Sequence, residues 1–152
     1  MLRHLLALAL YLPLLAVAAG LEPITSETAC YPEHGAGEFG WMLISGDTSR
    51  PETCVFAEFP QGEAAVPFVR SGGVDIKLQL TLKRDSLKGR WQTEETFVDP
   101  HSSLRVRLRH RLTRDSCPEV RDGCCGQEYE GLLEMADGKE MRSYKVKRWS
   151  GS

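Results

Sequence analysis

The chain has 152 residues, 41% of them hydrophobic and 26% charged, with a formal net charge of −2 at pH 7. That length holds one domain with a modest core, and the slight negative balance argues against a nucleic-acid binder. Asparagine is absent, which removes any N-glycosylation acceptor, and 13 of the 19 basic residues are arginine, the bias of a GC-rich bacterial genome.

The chain opens with "MLRHLLALALYLPLLAVAAG", where Arg3 and His4 precede an apolar run from Leu5 to Ala19. The run is too short and wrongly flanked for a membrane anchor and reads as a cleavable secretion signal over residues 1–19. Small residues predict cleavage after Ala18 or Ala19, leaving a mature chain of about 133 residues in the periplasm or outside the cell. No second apolar run of membrane length follows, so the mature chain is expected not to span a membrane.

Residues 20–38 read as a lead-in, and residues 39–149 as one β-rich domain. Within it "FGWMLIS", "CVFAEF" and "AVPFVR" are short apolar runs separated by turn formers, which predicts three strands, with Pro67 marking an edge or bulge. "VDIKLQLTL" then alternates strictly, placing Val74, Ile76, Leu78, Leu80 and Leu82 on one face. A turn at "KRDSLKG" leads into "RWQTEETFV", with Leu80 expected opposite Trp91, Ile76 opposite Glu95 and Lys77 opposite Glu94.

After "DPHS" comes "SLRVRLRHRLTR", in which Arg105, Arg107, Arg109 and Arg111 occupy every second position. A turn centred at Pro100 and His101 sets Glu95 against Val106 and Trp91 against His110, and completes a charge row Lys77, Glu94, Arg107. A one-residue slip would flip every side chain to the other face. The last hairpin, "QEYEGLLEMADGKEMRSYKVKRW", has Asp137-Gly138 at its tip, which sets Glu130 opposite Lys145 and Glu128 opposite Lys147. The total is about eight strands and no clear helix, an all-β antiparallel barrel or sandwich.

Five cysteines in an oxidising compartment allow two bridges and one thiol. Cys30 with Cys54 would staple the lead-in to the second strand, and Cys117 with Cys124 or Cys125 would close the "CPEVRDGCC" loop. The competing reading makes Cys117, Cys124 and Cys125 a thiolate site for a soft metal such as zinc or copper(I), although no Cys-x-x-Cys spacing supports it. No cofactor motif and no catalytic motif occurs, so the chain is read as a non-enzymatic protein.

Two clusters are candidate sites. Glu95 and His110 fall on the apolar face, where a carboxylate must be paired, protonated or facing a wet cavity. With Trp91 and Tyr144 they could line a pocket inside a barrel. The arginine row sits in the one basic third of the chain, residues 71–118, which carries ten basic and six acidic side chains, whereas residues 20–70 carry two basic and eight acidic. Either acidic residues of the chain neutralise the row, or it grips an external anion, a protein surface or an envelope component, through bidentate guanidinium contacts.

"GRW" at Gly89 to Trp91 and "EFGW" ending at Trp41 resemble the Gly-x-Trp that lipocalin-type barrels carry on their first strand. That resemblance implies a calycin-like carrier of a small apolar ligand. By size, signal and strand count the chain is also similar to small periplasmic inhibitors and immunity proteins, which implies a secreted binding protein acting on an envelope or lytic protein. The sequence places the inhibitor-type binding protein first and the carrier second.

Overall fold

The computed structural model describes residues 20–24, 37–38, 40–44, 53–61, 64–116 and 126–151. The expected signal, Cys30, Cys117, Cys124 and Cys125 lie outside the described residues. Every regular element described is a strand: β1 (Leu21–Glu22), β2 (Gly37–Glu38), β3 (Trp41–Leu43), β4 (Cys54–Gln61), β5 (Ala64–Ser71), β6 (Val74–Lys77), β7 (Gln79–Arg84), β8 (Thr93–Val98), β9 (Arg105–Asp115), β10 (Gly126–Asp137) and β11 (Glu140–Gly151).

They form one antiparallel sheet curled into a half-barrel, in the order β1-β5-β4-β3-β11-β10-β9-β8-β7. From β3 onward each strand pairs with its successor in the chain, save that β6 pairs with β5 and β7 with β8. Leu78 alone separates β6 from β7, so residues 74–84 join the two ends of the sheet. The last strand returns to the first of this series through Val146 opposite Leu43 and Lys147 opposite Met42.

The three runs expected as early strands are β3, β4 and β5. Pro67 stands where β5 takes up β6: pairing with β6 covers residues 68–71, and the Pro67 carbonyl accepts Leu78 N at 2.8 Å. Proline has no N–H to offer a ladder, so a pairing boundary suits it.

The hairpins keep the expected faces but change register. Glu95 lies opposite Leu108 instead of Val106, because the connection closes between Val98 and Arg105 and the Asp99 carboxylate organises it, accepting from His101 N and Ser102 Oγ. In the last hairpin Asp137 pairs with Glu140, so Gly138 and Lys139 are the turn, with Gly138 at φ 59° in the manner of a type II′ hairpin. Glu130 therefore faces Lys147, and Glu128 faces Trp149.

The hairpin of β7 and β8 departs most. Leu80 lies opposite Phe97, not Trp91, and Leu82 opposite Thr96, with Thr81 as an extra residue whose hydroxyl donates to Thr96 O at 3.1 Å. This bulge puts Leu82 on the other face, where it is solvent-exposed, as are Val74 and Leu80. Ile76 faces Val69 and Lys77 faces Phe68, while Arg84 faces Glu94 and Thr96 faces Arg107; the charge row Lys77, Glu94, Arg107 does not form.

The principal core lies on the concave face, where Trp41, Phe56, Val69, Phe97, Val106, Leu108, Leu133, Met135 and Val146 pack together. A smaller cluster of Ile24, Met42, Cys54, Ala57 and Phe68 covers part of the sheet around β4. Gly40 allows the chain to lie close against β4, since a Cβ there would stand 2.6 Å from Cys54 Sγ and 2.9 Å from Phe56 O. Gly40→Ala should cost about 1–3 kcal/mol, read as a lower urea midpoint with an unchanged m value. A midpoint equal to wild type would contradict this close approach.

Candidate functional site

The concave face is apolar at one end and polar at the other. Pairing across β8, β9 and β10 aligns Phe97, Val106 and Met135, then Glu95, Leu108 and Leu133, then Thr93, His110 and Gly131. Buried aliphatic side chains therefore give way, within two residues along each strand, to Glu95 and His110. The two are brought together as their alternation requires: His110 Nε2 lies 3.5 Å from Glu95 Oε2, and their side chains are 16% and 18% exposed.

Aromatic groups hold the imidazole. Its centroid is 5.2 Å from the Trp41 ring and 6.0 Å from Tyr129, which approaches edge-on and donates its hydroxyl hydrogen bond to Gln127 Oε1 at 2.8 Å. Trp41 reaches the histidine because position 131 has no side chain: a Cβ on Gly131 would be 3.0 Å from Trp41 Cζ3 and 3.1 Å from Val146 Cγ2. The Arg148 guanidinium, on the last strand, lies 5.8 Å from the centre of the Trp41 ring, a cation–π approach linking the two edges of the meander.

Glu95 has a second neighbour, Lys83, whose Nζ is 3.5 Å from Oε1. The hydrogen-bonding contact with His110, and after it the charge and hydrogen bond of Lys83, hold the carboxyl below its ordinary 4.5 against the opposing pull of burial. The site thus keeps an ionised carboxylate beside an imidazole in an aromatic setting that solvent partly reaches.

Two expected members of this pocket are elsewhere. Trp91 precedes β8 and lies under the Arg90 guanidinium, 4.9 Å from its centroid, and Thr93 takes its place opposite His110. The connection before β8 is longer than a tight turn, closing with Leu87 N on Gln92 O, so Arg90 to Gln92 are not strand. Tyr144 lies opposite Leu133 on β11 and accepts Leu21 N at 3.2 Å, so it anchors β1 and is separated from Glu95 by the leucines of β9 and β10.

The arginine row lies on the convex face. Arg107 and Arg109 both bond the Oε2 of Glu134, at 2.7 and 3.1 Å, and Arg111 bonds Glu130 Oε1 at 2.7 Å. Among the described residues their counter-charges come from the neighbouring β10. Glu134 is 9% exposed, so its two guanidinium partners offset a desolvated carboxylate. Arg105 has no ion pair among the described residues.

Among the described residues no group of three or more His, Cys, Asp or Glu is arranged to hold a metal ion, and the cysteine loop for which a soft metal was considered lies outside them. No described helix is long and apolar enough to cross a membrane. Comparison with protein-family models, with curated proteins and with solved structures returns no match.

Because the Glu95 carboxyl is depressed in the folded chain and ordinary in the unfolded one, acidification protonates the unfolded state first. Its contribution to stability is complete above pH 4.5 and is lost as pH falls through the folded value. Glu95→Gln should therefore flatten the acid limb of the stability curve below about pH 4.5, measured by urea unfolding at a series of pH values. Superimposable acid limbs for wild type and variant would show that the carboxylate makes no such contact.

Proposed function

We propose that the chain is a non-enzymatic, exported binding protein of calycin-like construction that holds a small, largely apolar ligand on its concave face. The observation that carries the reading is the contact of Glu95 with His110 among the rings of Trp41 and Tyr129. An ionisable pair at the edge of an apolar core gives a ligand one polar anchor beside a wall of aliphatic and aromatic carbon, the usual composition of a small-molecule site. The eight-strand meander, counting β6 and β7 as one strand, adds support, since closed barrels of that strand number are just wide enough for packed side chains or one small ligand.

Export through a signal at residues 1–19 belongs to the same proposal. The chain is engaged directly after the expected cleavage, with Ser71 Oγ donating to Gly20 O at 3.2 Å and Leu21 N to the Tyr144 hydroxyl. So does the staple of Cys30 to Cys54, which the position of Cys54 supports: it is buried beside Ile24, whose N–H donates to the Cys54 carbonyl at 2.9 Å.

Titration with the neutral fluorophore aminoanthracene tests the ligand reading. Wild type should bind it saturably with energy transfer from tryptophan, and His110→Ala should weaken binding about tenfold, or about 1.4 kcal/mol, while the protein stays folded. Absence of saturable binding to folded wild type would leave the concave face as packed core.

A further inference from the structure

We propose that the convex face of β8 to β11 docks on an anionic phospholipid surface. The registers lay out four rows across this face: Val98, Arg105, Ala136, Met141; Thr96, Arg107, Glu134, Ser143; Glu94, Arg109, Leu132, Lys145; and Arg111, Glu130, Lys147. Among the described residues of these rows six cations stand against three carboxylates, in a chain whose net charge is −2, and Lys147 is itself engaged. Each carboxylate is already shared or engaged: Glu134 by Arg107 and Arg109, Glu130 by Arg111 and by Arg90 at 3.8 Å, Glu94 by Arg84 at 4.0 Å. Arg105 and Lys145 have no ion pair among the described residues. The face therefore keeps a positive excess that its own glutamates do not absorb.

Charge alone would suit any polyanion. What selects a lipid surface is the apolar surface set among the cations. Met141, in the same row as Arg105, is 66% exposed, and Ile44 is 47% exposed beside Lys145, whose carbonyl accepts Ile44 N at 3.0 Å. Val98, Leu132 and Ala136 are half-buried between them. Exposed apolar side chains flanked by lysine and arginine match the boundary between headgroups and acyl chains, where the cations meet lipid phosphates and the apolar groups leave water. A soluble glycan or polyphosphate would gain nothing from Met141 or Ile44. This face lies on the opposite side of the sheet from Glu95 and His110 and does not depend on the ligand proposed there.

Flotation of the natively produced protein with vesicles tests the proposal. Vesicles of phosphatidylcholine containing about one third phosphatidylglycerol should carry the protein at low salt and release it as salt rises, and pure phosphatidylcholine should not. The pure phosphatidylcholine arm also measures any binding by a retained Leu5–Ala19 run. Arg105→Glu with Lys145→Glu should lower binding about tenfold or more, and Ile44→Ser with Met141→Ser should lower it severalfold, with melting temperatures unchanged because all four side chains lie at the surface. Failure of the mixed vesicles to carry wild type above the phosphatidylcholine level overturns the proposal. So does binding that the charge variant abolishes and the Ile44, Met141 variant leaves intact, which would assign the face to a soluble polyanion or an acidic protein.

Discussion

The organising contact of the molecule is the indole of Trp41 lying over Gly131. Trp41 is 2% exposed and comes from a strand of three residues, too short to hold its place by ladder hydrogen bonds alone. Its ring crosses the space that a side chain at position 131 would fill, touching β10 and Val146 of β11. That packing adds to the pairing of Leu43 and Met42 with Val146 and Lys147 in holding the first strand of the meander to the last. It also sets the indole, tilted by 51°, 5.2 Å from the His110 ring, whose other neighbours are Tyr129 and Glu95. A side chain at residue 131 would displace the indole, and with it the support of the histidine.

The two faces of the same strands solve opposite electrostatic problems. On the concave side one carboxylate is desolvated and is kept ionised by a histidine and a lysine. On the convex side β9 presents an arginine at every second position, and β10 answers with Glu134 opposite Arg107 and Glu130 opposite Arg111, with Leu132 opposite Arg109. Ion pairs of exposed side chains are worth about 0–1 kcal/mol, so the exposed pairs such as Arg114 with Glu128 do little for stability. Glu134 differs because it is buried and would be left uncompensated without its arginines. Among the described residues Glu94, Glu130 and Glu134 are fewer than the cations of the rows they share, so neutrality inside the sheet and a positive excess in those rows coexist.

Face assignments were legible in the sequence because alternation depends on nothing but the two-residue period of a strand. Glu95 and His110 share a face on that ground, and the two-residue shift of register between β8 and β9 brings them one pair closer, into contact. Register was not legible, because it depends on where each turn closes: the Asp99 carboxylate lengthens one connection and Gly138 takes the first turn position in another. The bulges at Thr81 and Thr113 were equally hidden, since each rests on a hydroxyl reaching a carbonyl across the ladder, to Thr96 O and Glu128 O. Alternation sets Trp91 opposite His110, whereas the indole that approaches the imidazole is that of Trp41, in "EFGW", because the connection before β8 is longer than a tight turn. The arginine partners on β10 were within reach too, because Glu130 and Glu134 fall on one face of their strand, but only the register of β9 against β10 shows that they meet.

Trp41, seated over Gly131, positions His110 beside Glu95. The most direct measurement is a set of proton nuclear Overhauser effects in the native protein, recorded again in Gly131→Val. Strong effects from the His110 ring to both the Trp41 indole and the Tyr129 ring in wild type, weakened to Trp41 in a folded Gly131→Val, are the result expected. Absence of a Trp41 to His110 effect in folded wild type, or its persistence undiminished in the variant, would contradict the account.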